Sequence, residues 1–302
     1  MQRLQKNNIH TVNLLAVCLA FQLCYFKNSA LVYMTFGDII TELGISGKSV
    51  WFALILSFLR VCITAFVFYL PLRLIMRNKS GGYPLSVKRE LPLYPFYIIF
   101  FCVSVCLMTV ISLDCINGVI PGLFKVSYNL PDGALALALY FAVSVVFVSA
   151  FNEIFFRGIV LPVLLPWGRT FAIFASALTG AALALDFRQF VLYAVIGLMS
   201  GYFVSHTGSL WMGVFISLCA NTTVFLHDFI LAEGIYAAYP VFFRVSVAVI
   251  FALGIYCCLK MDDQLTDSRV VPIRANESER RLADCLMAPC AVAYYIIVIA
   301  SL

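Results

Sequence analysis

Charge is what this chain has least of. Of 302 residues only 12% are charged and 63% are apolar, against roughly 25% charged in a soluble domain. The mean hydropathy of +0.99 excludes that class and points to a membrane protein crossing the bilayer many times. The eleven cysteines include no CxxC and no Cys/His pattern with zinc spacing, so neither a disulfide framework nor a metal or other cofactor is expected. Nine of them (Cys18, Cys24, Cys62, Cys102, Cys106, Cys219, Cys257, Cys258, Cys290) lie in apolar runs, where a thiol acts as a small hydrophobe. There is no internal repeat of the kind many transporters carry. The apolar run at 12–26 follows Arg3 and Lys6 but lacks a small-x-small cleavage site, and reads as a retained first span.

What is there is a series of apolar stretches near membrane-crossing length, at 11–26, 50–70, 93–113, 135–152, 170–186, 188–205, 210–231, 239–259 and 286–302. The fold class is therefore all-α, with eight or nine transmembrane helices. Residues 30–43, apolar with Asp38 and Glu42 as interruptions, read as an interfacial or re-entrant helix. The net charge of +5 is a topology signal, and no nucleic-acid partner follows from it. With the amino terminus in the cytoplasm, Arg3, Lys6, the basic loop 73–92, Arg157, Arg169, Lys260, Arg269, Arg274, Arg280 and Arg281 share one side. Lys27, Lys48, Lys125 and Arg188 are the exceptions. The polar segment 261–284 then reads as a cytoplasmic linker.

Three regions follow: amino-terminal helices over 1–134, a compact four-helix core over 135–231, and carboxy-terminal helices with the linker over 232–302. The core is marked by short turns and by small residues at four-residue spacing, Ser176/Gly180/Ala184, Gly197/Gly201 and Gly213/Ser217, which let helices approach closely in lipid.

Two features of the core carry chemistry. Glu153 and Arg157, one helical turn apart after an uncharged run, can pair on one face. They are expected at the cytoplasmic end of the fourth span, where the alternative to a functional role is a helix-end salt bridge at the headgroups. Asn221, an amide within the seventh span, shares a stripe with Gly213 and Ser217; it is either a site residue or a polar clamp worth about 0.6–2 kcal/mol. Arg60 and Arg244 are charges at membrane depth that snorkel or pair. Asp114, Asp132, Asp228 and Glu233 read as decoration of outer loops.

Glu153-x-x-x-Arg157-Gly158, Pro162, the basic turn Trp167-Gly168-Arg169, Gly197-x-x-x-Gly201-Tyr202, and Thr207-Gly208-Ser209-Leu210-Trp211 leading to Asn221 resemble the CAAX protease and bacteriocin-processing (CPBP, or Abi) family of intramembrane glutamate endopeptidases. The resemblance covers about 150–225. It implies a CPBP-like core, metal-independent cleavage of membrane-associated peptides or proteins, and a motif of Glu-Glu-x-x-x-Arg, Phe-x-x-x-His and His-x-x-x-Asn or Asp. In such a motif the first Glu and first His activate water, while the second His and the Asn stabilise the oxyanion.

This chain departs from the motif. The first Glu position is Asn152; Glu153 and Arg157 are kept. The first His position falls near 184–186, where Asp186 is the only titratable group, and the second is Ser217, four residues before Asn221. The candidate site is therefore Asn152, Glu153, Arg157, Asp186, Ser217 and Asn221. Among the three histidines, His206 is a candidate displaced base, though an interfacial histidine is the ordinary reading; His10 and His227 lie elsewhere. The expected function is a CPBP-like intramembrane endopeptidase with weak or lost catalysis. The alternatives are a non-catalytic adaptor or immunity protein binding peptides in the same cavity, and a small-solute transporter. The expected location is a plasma membrane, bacterial by the resemblance.

Overall fold

A computed structural model describes residues 13–22, 40, 42, 50–63, 66, 95–120, 130–131, 133–165, 168–184, 186–235 and 239–267. Their regular structure is helical, without strands among them. In chain order they form α1 (Asn13–Gln22), α2 (Val50–Ile63), α3 (Pro95–Val119), α4 (Ala134–Leu164), α5 (Arg169–Ala181), α6 (Phe187–Thr207), α7 (Leu210–Ala232) and α8 (Pro240–Asp267). Five of them, α3, α4, α6, α7 and the 241–260 part of α8, are long and apolar enough to cross a membrane. Of the expected segment 30–43 only Ile40 and Glu42 are described, while the segments at 73–92 and 286–302 lie outside the described residues, as do His10, Asp132, Trp167 and the Arg60 side chain.

Two boundaries differ from expectation. The fourth helix does not stop near 152: α4 runs on to Leu164, through π-helical turns at Ala142–Phe147 and Phe156–Val160. The second π turn precedes Pro162, whose ring opposes the carbonyl four residues back; widening the turn is one way a helix passes such a proline. Glu153 and Arg157 therefore lie inside a continuous helix rather than at its end. Similarly, α8 continues to Asp267, so the first seven residues of the expected linker are helical.

The turns explain how the core folds back on itself. Gly168 (φ +122°) opens α5. Between α6 and α7, Gly208 takes the left-handed conformation (φ +69°), which only glycine adopts freely, and its N–H bonds Val204 O at 2.9 Å. At the other end of α6, Asp186 is the N-cap, its carboxylate accepting from Gln189 N at 2.7 Å.

Packing follows the small residues. A Cβ on Gly197 would lie 3.1 Å from Ala177 Cα and one on Gly201 3.3 Å from Ile173 Cγ2, so α5 and α6 touch backbone to backbone along this stripe. A core of Phe155, Phe156, Val160, Leu161, Leu164, Ala172 and Ala175 joins α4 to α5 and takes Leu15 and Leu19 of α1. On the other face of α6, α3 runs alongside α7: Cys102 packs with Met212 and Ile216, and Cys106 with Ile196 and Ala220.

Candidate functional site

The face of α4 carrying Ser149, Glu153 and Arg157, one turn apart, meets the α7 stripe Gly213, Ser217 and Asn221 running the opposite way. Glu153 lies opposite Gly213, and Ser149 opposite Asn221.

Glu153 and Arg157 are 4% and 2% exposed, and Glu153 Oε2 is 3.5 Å from Arg157 Nε. The pair is held by neutral groups from two other helices. Arg157 Nε donates to Ser200 Oγ at 3.0 Å, Nη2 to Gly197 O at 2.5 Å and Nη1 to Ser176 Oγ at 3.4 Å. Ser200 Oγ lies 3.1 Å from Glu153 Oε1, to which it donates. Arg157 thereby ties α4 to α5 and α6 from a fully enclosed position.

The glycines of the stripes make room for this network. A Cβ on Gly197 would stand 2.8 Å from Arg157 Nη2, and one on Gly213 3.0 Å from Glu153 Oε2 and 2.7 Å from Val204 Cγ2. Among the described residues Glu153 Oε2 is buried without a hydrogen bond, with the Arg157 guanidinium beside it.

One turn along, a second polar group forms. Asn221 Nδ2 donates to Ser149 Oγ at 2.9 Å and to Ser217 Oγ at 3.3 Å, and both serines are buried. Among the described residues no hydrogen bond links this group to the Glu153 network. Asn152 is partly exposed and makes no side-chain hydrogen bond among the described residues.

Asp186, proposed from sequence as a catalytic partner, caps α6 fourteen residues before Ser200, about 21 Å away along the helix. It is not brought to Glu153. His206 is held elsewhere, its Nδ1 on Tyr202 O at 2.9 Å and its ring 4.0 Å from that of Tyr202. Beside it, Arg169 Nε donates to Ser205 Oγ at 3.1 Å, and burial lowers the Arg169 guanidinium from its ordinary value. The arrangement thus gathers Glu153, Arg157, Ser217 and Asn221 on two facing stripes and leaves Asp186 apart. Ser149 and Ser200 were missed in the sequence, and Ser176 was read there only as a packing residue. A serine in an apolar span needs a partner as much as an asparagine does, and that signal was present.

At the opposite end of the bundle sits a second ionic cluster. Arg188 of α6 meets Asp114 of α3 at 3.2 Å and Asp228 of α7 at 2.8 and 3.3 Å, with His227 beside them. Asp114 and Asp228 are therefore not loop decoration. They are the partners that let Arg188, 6% exposed, be buried.

A cavity of about 560 Å³ lies between α3 and α8, with Phe101, Met108, Phe251 and Ile255 in its walls, and contains none of the candidate residues. Among the described residues no group of three or more His, Cys, Asp or Glu could hold a metal.

Residues 134–223 match the family model for type II CAAX prenyl endopeptidase Rce1-like proteins. Over this segment, which holds Glu153, Arg157, Ser217 and Asn221, the chain is similar to the CPBP family, and its five long apolar helices describe a membrane protein. No curated protein and no solved structure matches the chain.

Proposed function

We propose that the protein is a membrane-embedded Rce1-like protein that engages membrane-associated peptides or proteins through the α4–α7 face, with weak or absent endopeptidase activity. The observation that carries this reading is the state of Glu153. One carboxylate oxygen faces the Ser200 hydroxyl, the other is enclosed against Gly213, and neither Asp186 nor His206 contacts it. Water attack on a peptide bond needs a proton acceptor within hydrogen-bond reach of the water, contributing about 10²–10⁴-fold in rate. A carboxylate spent on holding three helices together is poorly placed for that. The Ser149–Ser217–Asn221 group, by contrast, retains polar atoms on the same face at a partly exposed asparagine.

The lysine and arginine distribution supports an orientation with the amino terminus and the 73–92 loop in the cytoplasm; cysteine labelling of that loop from outside would overturn it. The functional test is reconstitution in liposomes with a library of lipid-anchored and transmembrane peptides, comparing wild type with Glu153→Gln and Asn221→Leu. The expected outcome is peptide binding without cleavage, weakened by Asn221→Leu. Chelator-insensitive cleavage that disappears in a folded Glu153→Gln protein would show an active endopeptidase instead.

A further inference from the structure

The cavity of about 560 Å³ between α3 and α8 is long, apolar and open to the side. Its wall on α3 runs from Phe101 to Leu113, about 18 Å of helix, which is more than half of the roughly 30 Å of hydrocarbon that a span crosses. On α8 the wall includes Phe251, Ile255 and Leu259, which are 44%, 48% and 66% exposed. Side chains that line a cavity and stay this exposed stand at its rim. The opening therefore faces outward from the bundle, towards lipid. A Cβ on Gly254 would overlap Ser104, so α3 and α8 meet closely at that point and the cavity lies beside the contact.

The chemistry of the walls selects the occupant. Ser104 Oγ donates to Ile250 O at 3.3 Å and Thr109 Oγ1 to Val105 O at 2.8 Å, so these hydroxyls are already engaged by backbone carbonyls. Ordered water needs several polar partners, and the lining is mostly apolar; a hydrocarbon chain suits it better. One end of the cavity is marked by charge. Next to Leu259 stands Lys260, exposed and the last residue of the apolar stretch of α8. Among the described side chains no carboxylate pairs with it. A lysine at the end of a span reaches the headgroup level, where its ammonium attracts anionic lipid.

We propose that the cavity is a binding site for a membrane phospholipid, with one acyl chain lying along α3 between Phe101 and Leu113 and the phosphate met by Lys260. An apolar slot that ends at a cation at headgroup level is the complement of such a molecule. The bound lipid fills the space that α3 and α8 leave beside the Gly254 contact. The walls come from α3 and α8, with Val191 of α6 their contribution from the segment 134–223 that matches the family model. None of the α4–α7 residues lines the site, so it stands or falls apart from the function proposed for that face.

The test is native mass spectrometry of the full-length protein, reconstituted with phosphatidylglycerol and extracted into mild detergent. Wild type should retain a phospholipid adduct. Val105→Phe, which places a ring in the cavity, should lose it, whereas Val249→Phe, at an exposed position of α8 outside the lining, should keep it. Lys260→Gln should bind phosphatidylglycerol about fivefold more weakly. No adduct on wild type, an adduct with the mass of a free fatty acid alone, or equal retention by Val105→Phe overturns the site; unchanged binding by Lys260→Gln overturns the phosphate contact. Should Val105→Phe fail to fold, wild type is irradiated with phosphatidylglycerol carrying a diazirine at the end of one acyl chain. Labelling concentrated at Met108 to Leu113 and displaced by excess unlabelled lipid supports the proposal. Labelling confined to outward residues such as Phe242 and Val249, as expected if another segment of the chain covers the cavity, overturns it.

Discussion

The two ends of α6 solve the same problem in opposite ways. Near Ser200, an arginine inside the core is met by a carboxylate on its own helix, two serine hydroxyls and a backbone carbonyl, and glycines provide the space. Near Arg188, about 18 Å away along the helix, an arginine is met by carboxylates from two other helices, with no glycine against it among the described residues. The first network is sealed, with Glu153 and Arg157 side chains 6% and 2% exposed; in the second, the Asp114 and Asp228 side chains keep 21% and 24% of their exposure. A sealed pair has no water to fall back on when one partner is lost. A half-open one does. The comparison indicates that the Glu153–Arg157 pair is the more rigid element and the Arg188 cluster the more adjustable.

Substitutions sharpen this contrast, and the largest effect falls on the sealed network. Arg157→Met leaves Glu153 buried and unpaired and should cost about 3–5 kcal/mol in unfolding free energy, read by thermal or denaturant unfolding in detergent. Arg188→Met removes charge-assisted bonds whose partners can still be hydrated, and should cost less, about 1.5–3 kcal/mol. Equal losses in these two proteins would break the comparison. The smallest effect is expected at the neutral polar group: Ser149→Ala removes one partner of Asn221 and should cost about 0.6–2 kcal/mol. A loss there as large as that of Arg157→Met would place the mechanical centre of the core at Asn221 instead.

How far the sequence carried depended on what each inference rested upon. Helix identity was legible because apolar length is a local signal; α6 and α7 begin and end within two residues of expectation. The pairing of Glu153 with Arg157 was legible because it sits within one turn of one helix. Its depth was not. The apolar run appeared to end at the first charge, whereas Gly197, Gly213, Ser176 and Ser200, all from other helices, let α4 continue past it. Those glycines read only as packing contacts, and that they also make room for a guanidinium and a carboxylate depends on tertiary register. Asp114, Arg188 and Asp228 illustrate the same limit: each looks like a solitary charge near a loop, and only the side-by-side course of α3 and α7 brings them together. Asp186, placed by homology-like spacing, was taken up by a local need, the capping of α6.

The central claim is that Glu153 and Arg157 act as one structural unit. Its most direct test is a double-mutant comparison of unfolding midpoints in detergent for Glu153→Gln, Arg157→Met and the protein carrying both. Each single change leaves a buried charge or donor set unmatched, while the double change removes both charges. The account predicts that the double variant is more stable than Arg157→Met alone. A Glu153→Gln protein as stable as wild type, with a double variant no better than Arg157→Met, would contradict it and return Glu153 to a catalytic role.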